Sequence, residues 1–385
     1  LKPVPPEIRT MPSKDIVVDA DGHILEPPDL WEKYLEAKYQ PRSIKVVKNE
    51  QGLECLQYDG KLSQMAQPGF LAALGGMGKE QDQLRPDAER TYVGSAPFGS
   101  MDARERVELL DRENLAKAVL YPTLGILWEA EVEDVELSQA YCRAYNRWIA
   151  DFCRPYSDRL IPIAHLSLGD PQAAAAELER AVKDGCRGAF VAPFTITHKP
   201  HGHLDHDPVF AMAEKLDVPF AIHPTFEPKG LNRARFHGME RMPLLGVIAS
   251  QILQQPLSTF FQFGVFDKFP KLRVVILESG SSWLGFWMDR MDEGYETWIG
   301  GTLPLKKKPS EYVRKQVWIS GDPDEQATAY VIDYVGRDRF FWASDFPHPD
   351  HGGKYLDALE RMVAPMGPEA RRGIVGKNVI DCYKL

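Results

Sequence analysis

Eight short runs rich in Val, Ile and Phe recur along the chain, each followed, after a loop, by a longer segment of helical period. They are IVVDADGH (16–23), KAVLYPTLG (117–125), LIPIAHLSL (160–168), RGAFVAPF (187–194), VPFAIHPTF (218–226), RVVILESGS (273–281), VWISGDPD (317–324) and RFFWASDFPHPD (339–350). Continuous apolar strands alternating with helices imply a parallel sheet buried on both faces. Eight such units point to closure into a (β/α)₈ barrel, because the alternative, an open doubly wound sheet, usually needs fewer strands. With 385 residues, 44% of them apolar, residues 1–385 read as one barrel domain with insertions.

Three segments fall outside the alternation. Residues 1–15, with four prolines and no apolar h-region, read as an extended arm rather than a signal peptide. Residues 42–100 hold two alternating runs around an Asn-Glu-Gln-Gly turn, which predicts a β-hairpin, and then a Gly- and Met-rich stretch. Lying between the first strand and the first barrel helix, this insertion is expected to hang over the C-terminal mouth. Residues 227–270 form a polar loop and an apolar, helix-like insertion whose weak amphipathicity suggests a subunit contact, and so a homodimer.

A formal charge of -9 argues against nucleic acid, which needs a Lys/Arg-rich face. The apolar runs are shorter than a membrane span requires. Five scattered cysteines without a CxxC pair read as free thiols in a reducing compartment, with Cys142 and Cys153 facing the core of one helix. The expected setting is cytoplasmic and the expected partner a small-molecule substrate.

In such a barrel, residues at C-terminal strand ends converge on one site. The first run ends in Asp21-Gly-His23, whose period-2 spacing sends both side chains one way. The third carries His165, the fifth ends in His223, the sixth in Glu278, and the eighth in Asp345 with His348 beyond. Strand-end histidines are commonly structural, and an Asp before a Pro-rich turn is commonly a cap. Four such groups on the first, fifth and eighth strands are better explained as ligands of a divalent metal, Asp21, His23, His223 and Asp345. Imidazole and carboxylate suit zinc first, with manganese or iron as alternatives. His198, His201, His203 and His206, among Lys, Pro, Gly and Asp, read as a solvated loop, and Glu26 as a group holding its own turn.

Asp19-Ala-Asp21-Gly-His23-Ile-Leu-Glu26-Pro-Pro-Asp29-Leu-Trp31, Ala-Tyr-Asn-Arg-Trp at 144–148, Ala-Ile-His223-Pro-Thr, Glu278-Ser-Gly, Ser344-Asp345-Phe-Pro-His348 and Gly376-Lys-Asn378 together resemble the amidohydrolase-related family. This is the branch of the metal-dependent amidohydrolases that includes aminocarboxymuconate semialdehyde decarboxylase and the hydroxybenzoate decarboxylases. The resemblance runs from about residue 15 to 383 and implies the same four ligands, with Asp345 also handling a proton. Decarboxylases of the family carry a histidine at the end of the sixth strand, whereas this chain has Glu278. The departure shifts the expected chemistry toward hydrolysis by a metal-bound water, with Asp345, Glu278 and His348 as catalytic candidates. Decarboxylation or another lyase reaction on an aromatic or unsaturated carboxylate is the alternative, and iron-dependent oxygenation a more remote one. His165 and Glu26 are candidates for supporting or substrate contacts, and Phe194, Phe226 and Trp128 for contacts to a flat ring.

Overall fold

The computed structural model describes residues 15–228, 249–297 and 301–385. Its strands, in chain order, are β1 (Val18–Ile24), β2 (Lys45–Lys48), β3 (Glu54–Tyr58), β4 (Lys61–Leu62), β5 (Lys117–Pro122), β6 (Leu160–Pro162), β7 (Ala164–His165), β8 (Ala189–Val191), β9 (Phe220–Ile222), β10 (Val274–Ile276), β11 (Val317–Gly321) and β12 (Phe340–Trp342). The parallel orders β1-β5-β6 and β7-β8-β9-β10-β11-β12 account for all eight apolar runs, because β6 and β7 are two halves of the third. Ile163 is the hinge between them: its N–H bonds Leu120 O on one side, and that of Ala164 bonds Gly188 O on the other.

The circle closes between the last run and the first. Asp345 N donates to Asp21 O at 3.0 Å and His23 N to Phe346 O at 2.7 Å. Below these bonds the Asp19 carboxylate accepts from Ser344 twice, from N at 2.9 Å and from Oγ at 2.6 Å. The sheet is therefore a closed barrel, and the open-sheet alternative falls.

Alternation along the strands divides the apolar residues into two clusters. Val18, Ala20, Val119, Tyr121, Phe190 and Trp318 belong to the inner one, which also takes in Val379, Cys382 and Tyr383 of the last helix. The Tyr121 and Tyr383 hydroxyls lie 2.7 Å apart. The larger cluster joins the strands to the surrounding helices. Helix Val135–Cys153 is capped by Asp134, which accepts from Leu137 N, and buries Asn146 against β7. Asn146 donates to His165 O at 3.0 Å and accepts from His165 N at 2.7 Å, so the polar residue within the Ala-Tyr-Asn-Arg-Trp run completes the strand's hydrogen bonding. Gly376 has a comparable reason: a Cβ there would lie 2.0 Å from Ile16 O.

Residues 45–62 form a three-stranded antiparallel sheet, β2-β3-β4. The second turn, Asp59-Gly60, has positive φ at both residues, the requirement of a tight hairpin. Glu131 accepts from Ser63 Oγ, Gln64 N and Met65 N, and Met77 N donates to Pro347 O, tying the segment to loops that follow β5 and β12. The arm at 1–14 and residues 229–248 of the helical insertion lie outside the described residues; the insertion resumes as helix Ala249–Gln262. All five cysteines are free and buried, Cys142 and Cys153 included. Among the described residues no helix is long and apolar enough to cross a membrane.

The closing seam yields a direct expectation. Ser344→Ala removes a hydroxyl that donates to Asp19 and accepts from Phe346 N at 3.0 Å. Leaving Asp19 under-bonded in a buried place should cost about 1–3 kcal/mol, read as a lower urea midpoint. An unchanged midpoint would mean that the backbone bonds alone hold the seam.

Candidate active site

Ordinary alternation from the inward Val18 and Ala20 would turn residues 21 and 23 away from the barrel axis. A register shift between Asp19 and Gly22 adds one residue to β1 and reverses this, so Asp21 and His23 point into the mouth. Gly22 is required inside the bulge, where a Cβ would stand 2.7 Å from Asp19 Oδ2.

His23 Nδ1 lies 2.8 Å from Pro122 O and His223 Nδ1 2.6 Å from Pro224 O. Each Nδ1–H therefore donates to a carbonyl and each Nε2 is directed inward, the two standing 3.1 Å apart. Asp21 places Oδ1 3.5 Å from His23 Nε2 and Oδ2 3.6 Å from His223 Nε2. Asp345 Oδ1 is 3.3 Å from His23 Nε2, and Glu278 Oε2 is 3.0 Å from His223 Nε2. Both oxygens of Asp21, Oδ2 of Asp345 and Oε2 of Glu278 are buried without a well-formed hydrogen bond.

Buried carboxylate oxygens in that state are costly, and a divalent cation is the partner that mixed imidazole and carboxylate donors fit. The donors form two overlapping groups, Asp21–His23–His223 and His23–Glu278–Asp345–His348, each with its atoms within 4.8 Å of one another. The four expected ligands thus do not make one closed set. Asp345 joins through His23, in the company of Glu278. Glu278 and Asp345 both adopt the left-handed backbone region, with φ of 40° and 54°. Such a conformation costs a non-glycine residue about 1–3 kcal/mol, and here it occurs at two strand ends that supply donors to the site.

Electrostatics sort the protons. Burial raises the Asp21 carboxyl well above the usual range despite His223, and raises Asp345 likewise, with Glu278, Asp350 and Asp21 adding to it. Burial, with His348 and His223, pulls His23 well below the normal imidazole value. For His223 burial opposes the charge, but Asp21 and Glu278 outweigh it and lift the group to about 9. His223 in turn holds Glu278 ionised against its own burial. The opposed shifts favour a neutral His23 and a charged His223, whose Nε2 faces both Glu278 Oε2 at 3.0 Å and His23 Nε2 at 3.1 Å.

Of the remaining predicted residues, His348 and Glu26 support this centre and His165 does not. His348 Nδ1–H donates to Asp345 Oδ1 at 2.8 Å, and its Nε2 accepts from Thr123 Oγ1 at 3.0 Å. Glu26 accepts from the N–H groups of Thr123, Leu124 and Gly125 and so fixes the turn after β5. His165 pairs with Glu129 at 3.0 Å and joins neither donor group. The reading of His198, His201, His203 and His206 as a solvated loop is corrected for two of them: His198 is exposed and His203 partly so, but His201 and His206 are buried, His201 Nε2 bonding Ala192 O and His206 Nδ1 bonding His201 O. Backbone carbonyls supply the partners that side-chain spacing did not reveal.

Sequence reasoning missed Thr123, Asp322 and Asp350. Thr123 and Asp322 follow strand ends and are reachable by the same rule that found His223. Asp322 lies 3.8 Å from His351, and burial together with Glu325 and Glu278 raises its carboxyl to about 7.

Residues 97–385 match the amidohydrolase family. A γ-resorcylate decarboxylase of a Rhizobium species is 28% identical over 268 residues, covering 66% of this chain and 80% of its own. An amidohydrolase of known structure from Mycobacterium avium subsp. paratuberculosis has a TM-score of 0.79 at 21% identity, over 96% of this chain and 100% of its own. The 5-carboxyvanillate decarboxylase of Novosphingobium aromaticivorans, solved with manganese and a nitrobenzoic acid, has a TM-score of 0.71 at 20% identity over 100% of both chains. The two structural likenesses speak for the barrel; the family match, spanning most of the sequence and all the strands but the first and the small antiparallel sheet, speaks for descent. The chain belongs to the amidohydrolase family, in the branch that its motifs resemble, with the aminocarboxymuconate semialdehyde and γ-resorcylate decarboxylases.

Proposed function

We propose that the protein is a metal-dependent carboxy-lyase that removes CO₂ from an aromatic carboxylate. The observation that carries the reading is the pair of donor groups sharing His23 at the barrel mouth. Relatives named as decarboxylases support the lyase over the hydrolase that Glu278 had favoured. Phe70 and Phe226, whose rings are 5.8 Å apart, offer an apolar wall at the same end of the barrel. Manganese, bound by the carboxyvanillate enzyme, replaces zinc as the first ion to test.

Asp21, His23, His223 and Asp345 would hold the ion, with Glu278 and His348 beside it. A bound divalent ion supplies positive charge that polarises a substrate oxygen and offsets the clustered carboxylates. Asp345 Oδ2, bare and buried, gives a proton to the ring carbon bearing the carboxylate, and the electrons of the breaking C–C bond return to the ring as CO₂ departs. His348, held by Thr123, keeps Asp345 Oδ1 turned inward. Glu278, ionised beside His223, is the second group able to accept a proton.

Three expectations test this. A panel of aromatic acids, with amides and lactones alongside, should show CO₂ release that a chelator abolishes, and His223→Ala should lose manganese and turnover together. Hydrolysis of an amide or lactone without CO₂ release would overturn the lyase reading.

Metal uptake should displace protons from His223 and Asp21. His223 is charged below about 9, so competition grows as the pH falls, weakening manganese by about tenfold per pH unit for each proton displaced. Calorimetry in buffers of different ionisation enthalpy counts the protons; affinity that is constant between about pH 6 and 8 would contradict the assignment.

Glu278→Gln separates the roles open to that residue. An acid/base loses turnover, by about 10²–10⁴, with metal retained. A ligand of a second ion loses metal stoichiometry. Wild-type values for both would leave Asp345 as the proton-transfer group.

A further inference from the structure

We propose that Arg106 is a positioning residue that sets the two ligand-bearing strand ends, at His23 and at Asp345, for the ion between them. The inference rests on the reading of the mouth as a metal centre, and is independent of the substrate.

Arg106 projects from helix Ala103–Glu113 and is 1% exposed, an unusual place for a guanidinium. Its Nε donates to Gly99 O at 2.6 Å and its Nη2 to His23 O. The guanidinium carbon lies 4.7 Å from the ring centroid of Phe346, the residue after Asp345. Nη1 stands 3.4 Å from the place where a side chain at position 22 would begin. One planar cation therefore touches the main chain of a candidate ligand on β1, covers the bulge that aims it, and stacks on the neighbour of a candidate ligand beyond β12.

The two backbone bonds that join these strands run through the same residues, His23 N to Phe346 O and Asp345 N to Asp21 O. A shift of the guanidinium is therefore felt on both sides of the seam. Lysine cannot take its place, since an ammonium is a point charge without the planar fork or a face to stack. Groups that orient metal ligands from behind are commonly worth about 10–100-fold in metal affinity. A clamp that only fastened residues 97–100 to β1, as the bond from Leu25 N to Ser100 O does, would lower stability and leave the folded protein's affinity unchanged.

The experiment is a manganese titration of metal-free wild type, Arg106→Lys and Arg106→Met, with urea denaturation of the same metal-free proteins to confirm that each is folded. Both variants are expected to bind manganese at least about tenfold more weakly than wild type while still folded. Should neither fold, Phe346→Leu, which removes only the stacking face, is read in their place, and weaker binding is again expected. Wild-type affinity in a folded variant, with or without lowered stability, overturns the proposal. Failure of the wild type itself to bind manganese, zinc or iron overturns the metal reading first, so the two failures are told apart.

Discussion

The hydrogen bonds that close this barrel are made by the residues that build its site. Asp21 and Asp345 meet through their main chains as well as through the centre they face, and His23 is tied to Phe346 in the same way. Closure and site geometry are consequently one constraint. The barrel cannot slip in register at the seam without pulling carboxylates and imidazoles apart, and the side chains cannot be re-aimed without disturbing the seam. The Asp19–Ser344 pair, buried just beneath, adds two hydrogen bonds to the same joint.

What makes this joint expensive is desolvation. Asp19, Asp21 and Asp345 are buried within one end of the barrel, with Glu278 beside them. Such carboxyls avoid the cost of charge by keeping protons, as the raised values of Asp21 and Asp345 indicate, or by pairing, as Glu278 does with His223. A divalent ion would satisfy the unbonded oxygens of Asp21 and Asp345 directly. The left-handed backbone at Glu278 and Asp345 points the same way, since strain at a donor-bearing strand end persists only where the surrounding structure holds it.

The barrel was readable because eight apolar runs recur with helices between them, and the donors because they occupy strand ends. Two things hid the rest. The first is the β1 bulge: simple alternation brings Asp21 and His23 to one face, but which face depends on an inserted residue that no pattern announces. The second is that many polar side chains answer to backbone carbonyls, near or far in sequence, that no side-chain spacing marks. His201, His206, Asn146 and Arg106 all do so, and from composition each resembles an ordinary surface residue. Glu278 was visible as a departure from the family pattern. Its pairing with His223 is a matter of three dimensions.

The seam joins the beginning of the described chain to its end: Asp19 and Ser344 are 325 residues apart. During synthesis the Asp21–His23 pair is made 200 residues before His223 and still longer before Asp345, so it waits for its counterparts. No partial barrel presents the complete set of donors. On the metal-binding reading, the full set of donors therefore depends on closure of the seam, and an unclosed barrel offers at most the Asp21–His23–His223 group.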